Sequence, residues 1–295
     1  MKTKKIISTF LLFFCILQTT IKAEDVVSVE KSTSMPSLIT IGAHAVFISG
    51  FLYPPCKAIY DYANLKNKIK TKCKKIEQDD ILSSLKDFAK KVTDKKLNFY
   101  IGNCTDFGMQ YGTPAFSLGD KIIVITPEYY TVIEKLFNGE MSEENKEKTL
   151  KILEFLIQHE ATHLKNGDHK YRVIRSAIGA AAKIILFEAI QFALSKKTNE
   201  FIDQKAWIKL GATYIIPSYV LNVADALINS YLNKQQEYRA DAGVVGDDAM
   251  SGGKQLFTNI VNLIQNNPQA YALDNYNLSH PSSANRLKHL EARTA

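Results

Sequence analysis

The stretch Ile157-Gln158-His159-Glu160-Ala161-Thr162-His163-Leu164 decides how the chain is read. Four residues of α-helix advance the chain by about 400°, so His159 and His163 leave one face one turn apart, the spacing at which two imidazoles bind one metal ion. Glu160 lies about 60° round the helix from His163, near enough to reach a water at that metal without being a ligand itself. This is the arrangement of a zinc hydrolase. Two histidines packed on an ordinary helix would give the same five letters, and the surroundings weigh against that reading. Leu150, Leu153, Ile157, Ala161 and Leu164 form one apolar stripe, and Ile152, Leu156, His159 and His163 form a second beside it, so both faces are expected to be buried.

The ends of this helix are marked. Ser142-Glu143-Glu144 begins it and Asn166-Gly167 ends it, Gly supplying the left-handed conformation that helix C-termini favour. Upstream the pattern is that of strands: Leu97 to Ile101, Ala115 to Leu118, a Gly119-Asp120 turn, and the β-branched run Lys121 to Ile125. Thr126-Pro127 then opens another helix, with Thr126 as N-cap and Pro127 in the first turn, where a missing N–H costs nothing. Earlier still, Asp79-Asp80 open an amphipathic helix carrying Leu82, Leu85, Ala89 and Val92, and Asp61 to Lys75 reads as a solvated basic helix. Pro36 to Tyr53 is apolar, holds His44 as a structural residue, and is expected to stop at Pro54-Pro55.

Downstream lie two long apolar stretches, Val173 to Leu194 and Ala206 to Leu232, with the polar Ser195 to Lys205 between them. Lys183 and Glu188 interrupt the first, and Lys209, Pro217, Asn222 and Asp225 the second. A charge at the bilayer centre costs about 2.5–3.5 kcal/mol on insertion scales. The favoured reading is therefore an amphipathic helical hairpin, inserted over 168–236, that packs on the domain or lies on a membrane surface rather than spanning it. After it come Glu237 and Asp241, again four apart, so one carboxylate can bind metal while the other accepts the N–H of a ligating imidazole.

With 46% hydrophobic residues in 295, the chain has ample length for a large core, and disorder of the whole is excluded. The net charge of +7 is spread out, partly at Lys2, Lys4, Lys5 and Lys66 to Lys75, with no aromatic-interleaved basic motif. Nucleic acid is not expected as a partner. Residues 1–23 have a charged start, an apolar run from Ile6 to Leu17 and a candidate cleavage site after Ala23, and read as a secretory signal peptide, with an uncleaved membrane anchor as the rival. The expected location is the periplasm or cell envelope, with association to a membrane surface. Of the cysteines beyond the signal, Cys56 and Cys73 could pair in an oxidising compartment and leave Cys104 free, though nothing compels them to.

Taken together, the sequence resembles the gluzincin endopeptidases that include the CAAX prenyl protease and the HtpX heat-shock protease. The resemblance rests on His159-Glu160-Ala161-Thr162-His163 with Asn166-Gly167-Asp168, on Glu237-x-x-x-Asp241, on His280-Pro281-Ser282 with Arg286, and on Ala115-Phe116-Ser117-Leu118-Gly119, in that family's order. It implies an α+β, mostly helical zincin-like metallopeptidase domain over 24–295 with a small sheet. It implies one zinc ion held by His159, His163 and Glu237, Glu160 as general base, Asp241 orienting a ligating imidazole, and His280 and Arg286 over the cleft. Ala115, Phe116 and Ser117 would be the edge strand that pairs with an extended protein or peptide substrate. Relatives often carry Asn where this chain has Pro114, which bears on that pairing because Pro has no N–H.

The expectation is thus a zinc-dependent endopeptidase acting on exported or membrane-associated, including misfolded, proteins: Glu160 takes a proton from the attacking water and returns it to the leaving amine. The rival is an exported chaperone-like quality-control or assembly factor with a latent protease site, motivated by the apolar hairpin as a lid. A membrane protein with a chance motif, binding no zinc, is a third reading.

Overall fold

The structure, a computed structural model, describes residues 35–107, 113–198, 211–265, 267–275, 277 and 280–293. The signal reading of residues 1–23 and part of the polar segment Ser195 to Lys205 lie outside them. The chain divides into two compact units, one drawn from Met1–Ala63 and Ala182–Tyr219, the other from Asn64–Ala181 and Val220–Ala295.

In the first unit, helix α1 (Met35–Ala63) runs through Pro54 and Pro55 rather than ending there. Each proline lacks the N–H that the ladder would send to the carbonyl four residues back, at Gly50 and Phe51, and costs about 3 kcal/mol in a helix interior. Packing on the N-terminal side offsets this: Phe51 is 2% exposed and meets Phe187 edge-on at 5.5 Å between centroids. Phe47 stacks on Tyr214 at 5.7 Å. His44 is structural, as expected, with its Nε2 2.7 Å from Glu188 Oε1. The hydrogen bond to Glu188 holds its pKa above the usual histidine value against the opposing effect of burial. Lys183 sets its ammonium over the Phe51 ring at 5.6 Å, so both charges that interrupt the apolar stretch have partners within this unit.

The second unit is built on a four-stranded mixed sheet. Its elements are α2 (Leu65–Lys72), β1 (Cys73–Lys75), α3 (Asp79–Lys90), β2 (Asn98–Gly102), β3 (Ala115–Leu118), β4 (Ile122–Ile125), α4 (Pro127–Phe137) and α5 (Glu143–Asn166). The strand order is β1-β2-β4-β3, with β2 and β4 parallel and both outer strands antiparallel to their neighbours. The segment Asp61 to Lys75 is therefore not one helix. Its last three residues pair with Tyr100 to Gly102, and Ile76, 1% exposed, continues that pairing through its N–H to Phe99 O at 3.1 Å. Thr126 takes the N-cap position of α4, yet its hydroxyl bonds Pro114 O at 3.2 Å instead of capping the helix. Cys56, Cys73 and Cys104 are free thiols, so the contemplated disulfide is not formed.

Helix α6 (Asp168–Thr198) follows α5, and after a π-helical turn (Gly211–Ile215) come α7 (Ile216–Ala242), α8 (Asp247–Gln265), α9 (Pro268–Asn275) and α10 (Ser283–Ala292). The architecture is thus mostly helical with a small sheet, as the sequence led us to expect. No helix of the described residues is long and apolar enough to cross a membrane.

Helix α5 is the centre of the second unit. One side packs with α3, the sheet and α4 through Leu153, Ile157, Ala161 and Leu164. The other packs with α8 and α10 through Phe155 and Leu156. Every residue from Leu153 to Leu164 is buried as a result. Close approach of α8 needs glycine: a Cβ on Gly252 would lie 2.1 Å from Lys151 O, and one on Gly253 2.4 Å from the Phe155 ring. Burying a helix all round also strands polar groups, and these find partners. Glu154 accepts from Lys91 at 2.5 Å and from Gln158 at 2.9 Å, and Gln158 Oε1 accepts the Val245 N–H at 2.8 Å.

Candidate metal centre

Helix α5 carries His159 and His163 into the second unit with the local signals read from sequence. Ser142 accepts the Asn145 N–H at its start, and Gly167, at φ 69°, closes its end. The two Nε2 atoms lie 3.1 Å apart. Glu237 comes from α7, its Oε2 3.4 Å from His159 Nε2 and its Oε1 3.5 Å from His163 Nε2. All three side chains are buried, and among the described residues they form the one such cluster able to hold a metal ion. Ligand atoms about 2.0–2.1 Å from a tetrahedral zinc lie about 3.3–3.4 Å from one another. The Nε2–Nε2 separation of 3.1 Å is close to that spacing, each imidazole faces one oxygen of the same carboxylate at 3.4 and 3.5 Å, and two imidazoles with one carboxylate are a donor set that catalytic zinc uses.

The remaining imidazole nitrogens are both held by carboxylates. His159 Nδ1 is 2.9 Å from Asp241 Oδ1, and His163 Nδ1 is 2.7 Å from Asp168 Oδ2. A carboxylate on Nδ1 fixes the tautomer that leaves Nε2 free to bind metal. Burial alone would lower the His159 pKa, but the hydrogen bonds to Asp241 and Glu237 outweigh it and hold it up at about 9 without metal. Burial alone would raise Glu237, and contacts from His159 and His280 instead keep it well below the usual carboxylate range. Asp241, fully buried, is likewise kept ionised by Arg286 against its desolvation.

His280 and Arg286 reach the same centre from the chain end. Ser282 caps α10 by accepting the Asn285 N–H at 3.3 Å, and Asp274 of α9 accepts both the N–H and the hydroxyl of Ser283, at 2.9 and 2.8 Å. This brings His280 Nδ1 to 3.3 Å from Glu237 Oε2, with 42% of its side chain exposed. Arg286 grips Asp241 with Nη2 at 2.6 Å and Nε at 2.9 Å, sits 3.5 Å from Glu237 Oε2 through Nη1, and covers the Phe257 ring at 4.4 Å. Glu160, one residue past His159 on α5, is buried, no described residue hydrogen-bonds its carboxylate, and it lies within electrostatic reach of Arg286. Ala115, Phe116 and Ser117 lie on β3, which is the outer strand of the sheet and contacts α5. The Pro114 carbonyl is taken by Thr126.

Sequence reasoning named these residues and missed others. Asp168 entered only as part of a motif, with no role, because its contact with His163 spans two helices and depends on the turn at Gly167. Arg239, whose guanidinium pairs with Asp168, and Gln158, which ties α5 to the backbone after α7, gave no signal beyond their charge and polarity.

The family model for Peptidase family M48 matches residues 114–294, more than half of the chain and all of the residues of the centre. A protease HtpX homologue from Variovorax paradoxus (strain S110) is 28% identical over 109 residues, a match that covers 36% of this chain and 37% of that protein. The crystal structure of S. mikatae Ste24p aligns over 86% of this chain and 66% of that one, with 18% sequence identity and a TM-score of 0.44.

Proposed function

The chain belongs to peptidase family M48, and on that premise we propose that it is a zinc-dependent endopeptidase hydrolysing peptide bonds in exported or membrane-associated proteins. The observation that carries the reading is the convergence of His159 Nε2 and His163 Nε2, 3.1 Å apart, on the Glu237 carboxylate, whose Oε2 lies 3.4 Å from the first and Oε1 3.5 Å from the second. His159, His163 and Glu237 would hold zinc, which would supply a Lewis acid for water and for the substrate carbonyl. Glu160 then takes the proton from the attacking water and passes it to the leaving amine. His280, half-exposed beside Glu237, is the group that can donate to the carbonyl oxygen as it gains charge, while Arg286 supplies fixed positive charge from below. An extended peptide pairs with the outer edge of β3 at Ala115, Phe116 and Ser117, so backbone rather than side chains is read there.

The test is cleavage of casein by the purified, zinc-loaded chain. Hydrolysis that stops with a chelator and returns with zinc supports the reading. No hydrolysis with zinc bound would move an exported chaperone-like or assembly factor with a latent site to the front.

Export is proposed from the composition of residues 1–23, and contact with a membrane surface from an inversion of polarity in the second unit. Between α6 and the part of α7 that lies in this unit the seam is polar, with Arg172 on Gln236 at 3.3 Å and Arg175 on Asn233 at 2.5 Å. Tyr171, Ile174, Ile178, Val223, Leu227 and Tyr231 are instead 41–64% exposed. A helix pair that turns its polar side inward suits an apolar surrounding. The inserted-hairpin reading of 168–236, part of which (199–210) lies outside the described residues, remains a proposal that this polarity supports only for the portion in the second unit. Wild type should float with anionic phospholipid vesicles, and the double substitution Ile178→Asp, Leu227→Asp should not. Wild type that stays at the bottom of the gradient would remove the membrane from the proposal.

A further inference from the structure

The two metal-facing imidazoles are backed by relays of the same kind. His159 is held by Asp241, and Asp241 by Arg286; His163 is held by Asp168, and Asp168 by Arg239. The arms differ in their contact with solvent. Arg286 is 13% exposed in its side chain, whereas Arg239 is 51% exposed although the Asp168 it pairs with is 1% exposed. Arg239 also stands on α7 between the ligand Glu237 and Asp241, so the helix that supplies one ligand clamps the support of another.

We propose that Arg239 is a positioning residue of the metal centre, holding Asp168 against His163 Nδ1 and thereby setting how firmly zinc is retained; this rests on the zinc reading above. A carboxylate withdrawn from water is costly unless paired; Arg239 is the arginine in direct contact with Asp168, while Arg175 acts on it only from further off. Without it Asp168 loses the charge that fixes its side chain, and His163 loses a rigid acceptor. Removing a group that orients a ligating imidazole weakens metal binding by about 10–100-fold. Arg239 acts one step further out and half in solvent, so its own share is smaller, about two- to fivefold, the scale of an exposed ion pair. It is also the arm that salt reaches first, since screening acts on exposed pairs more than on buried ones.

The experiment is zinc competition with a chromophoric chelator, on the full chain, for wild type, Arg239→Gln, Arg239→Lys, Asp168→Asn and the double variant Arg239→Gln, Asp168→Asn. Arg239→Gln should lose about two- to fivefold in zinc affinity and Arg239→Lys should recover most of it. Asp168→Asn should lose about 10–100-fold, and the double variant no more than Asp168→Asn alone. Raising sodium chloride from about 0.05 to about 0.5 M should narrow the gap between wild type and Arg239→Gln. An arginine that only staples α6 to α7 would lower the melting temperature of the metal-free chain and leave zinc affinity unchanged. That result, or losses that multiply in the double variant, would overturn the proposal. The contrast of Gln with Lys at position 239 decides the matter even where Asp168→Asn fails to fold. Wild type that binds no zinc would bring down the functional reading and this inference with it.

Discussion

Glu160→Gln keeps zinc bound and lowers casein hydrolysis by about 10²–10⁴-fold, the range that a positioned general base contributes. The substitution is isosteric, and Glu160 sits in a run of α5 that is packed on every side, so the amide occupies the place of the carboxylate. None of the three ligand atoms belongs to it. What changes is the ability to accept a proton beside the fixed charge of Arg286. Zinc stoichiometry measured alongside casein cleavage separates this from loss of metal. Full hydrolysis by the variant would remove Glu160 from the mechanism. The same variant also divides the two functional readings: a cellular role that survives it is carried by binding rather than by cleavage.

Asp241→Ala should destabilise the metal-free chain by about 3–5 kcal/mol, the cost of leaving a buried cation without its partner. Asp241 is fully buried and takes two hydrogen bonds from Arg286 and one from His159. Arg286 has no comparable second partner, since Glu237 lies at 3.5 Å and is shared with three imidazoles. The bond from Arg293 goes to the Asp241 carbonyl and survives the change, so the loss reports the side chain alone. Zinc affinity should fall in the same variant by about 10–100-fold, because His159 loses the acceptor that fixes its tautomer. Denaturant midpoints that shift by less than about 1 kcal/mol would mean that water or Glu237 replaces the carboxylate, and that the pair is not the keystone of the centre.

The metal helix could be read from sequence because its signals are local: a serine cap, a left-handed glycine, and two histidines at one helical turn. Glu237 and Asp241, read alone, look like a charged helix face, and become candidates only beside the His159-Glu160-x-x-His163 motif. The strands at Ala115 and Ile122 were legible from alternation and β-branching, and the mixed order of the sheet was not, since it depends on which neighbours meet. Cys73 to Lys75 look like the end of a basic helix and become strand only because β2 offers them an edge. Pro54-Pro55 look like a stop and are overridden by aromatic packing that brings together residues 47, 51, 187 and 214. His280 and Arg286 were placed by family resemblance alone. Physically their position rests on Asp274 and the Ser282 cap, contacts that no spacing announces.

Helix α5 has two halves of different character. Up to Ile152 it is solvated and dressed with pairs such as Glu144–Lys148 and Glu147–Lys151, while from Leu153 to Leu164 every residue is buried. Amide hydrogen exchange should therefore change regime within one turn: the first half exchanges by fraying, and the second only when the unit opens as a whole. The backbone beneath His159 and His163 thus outlasts most local fluctuations of the chain. A metal ion held there would therefore be released by movement of Glu237 on α7 and of His280, in the bend before α10, sooner than by unwinding of the helix that carries the histidines.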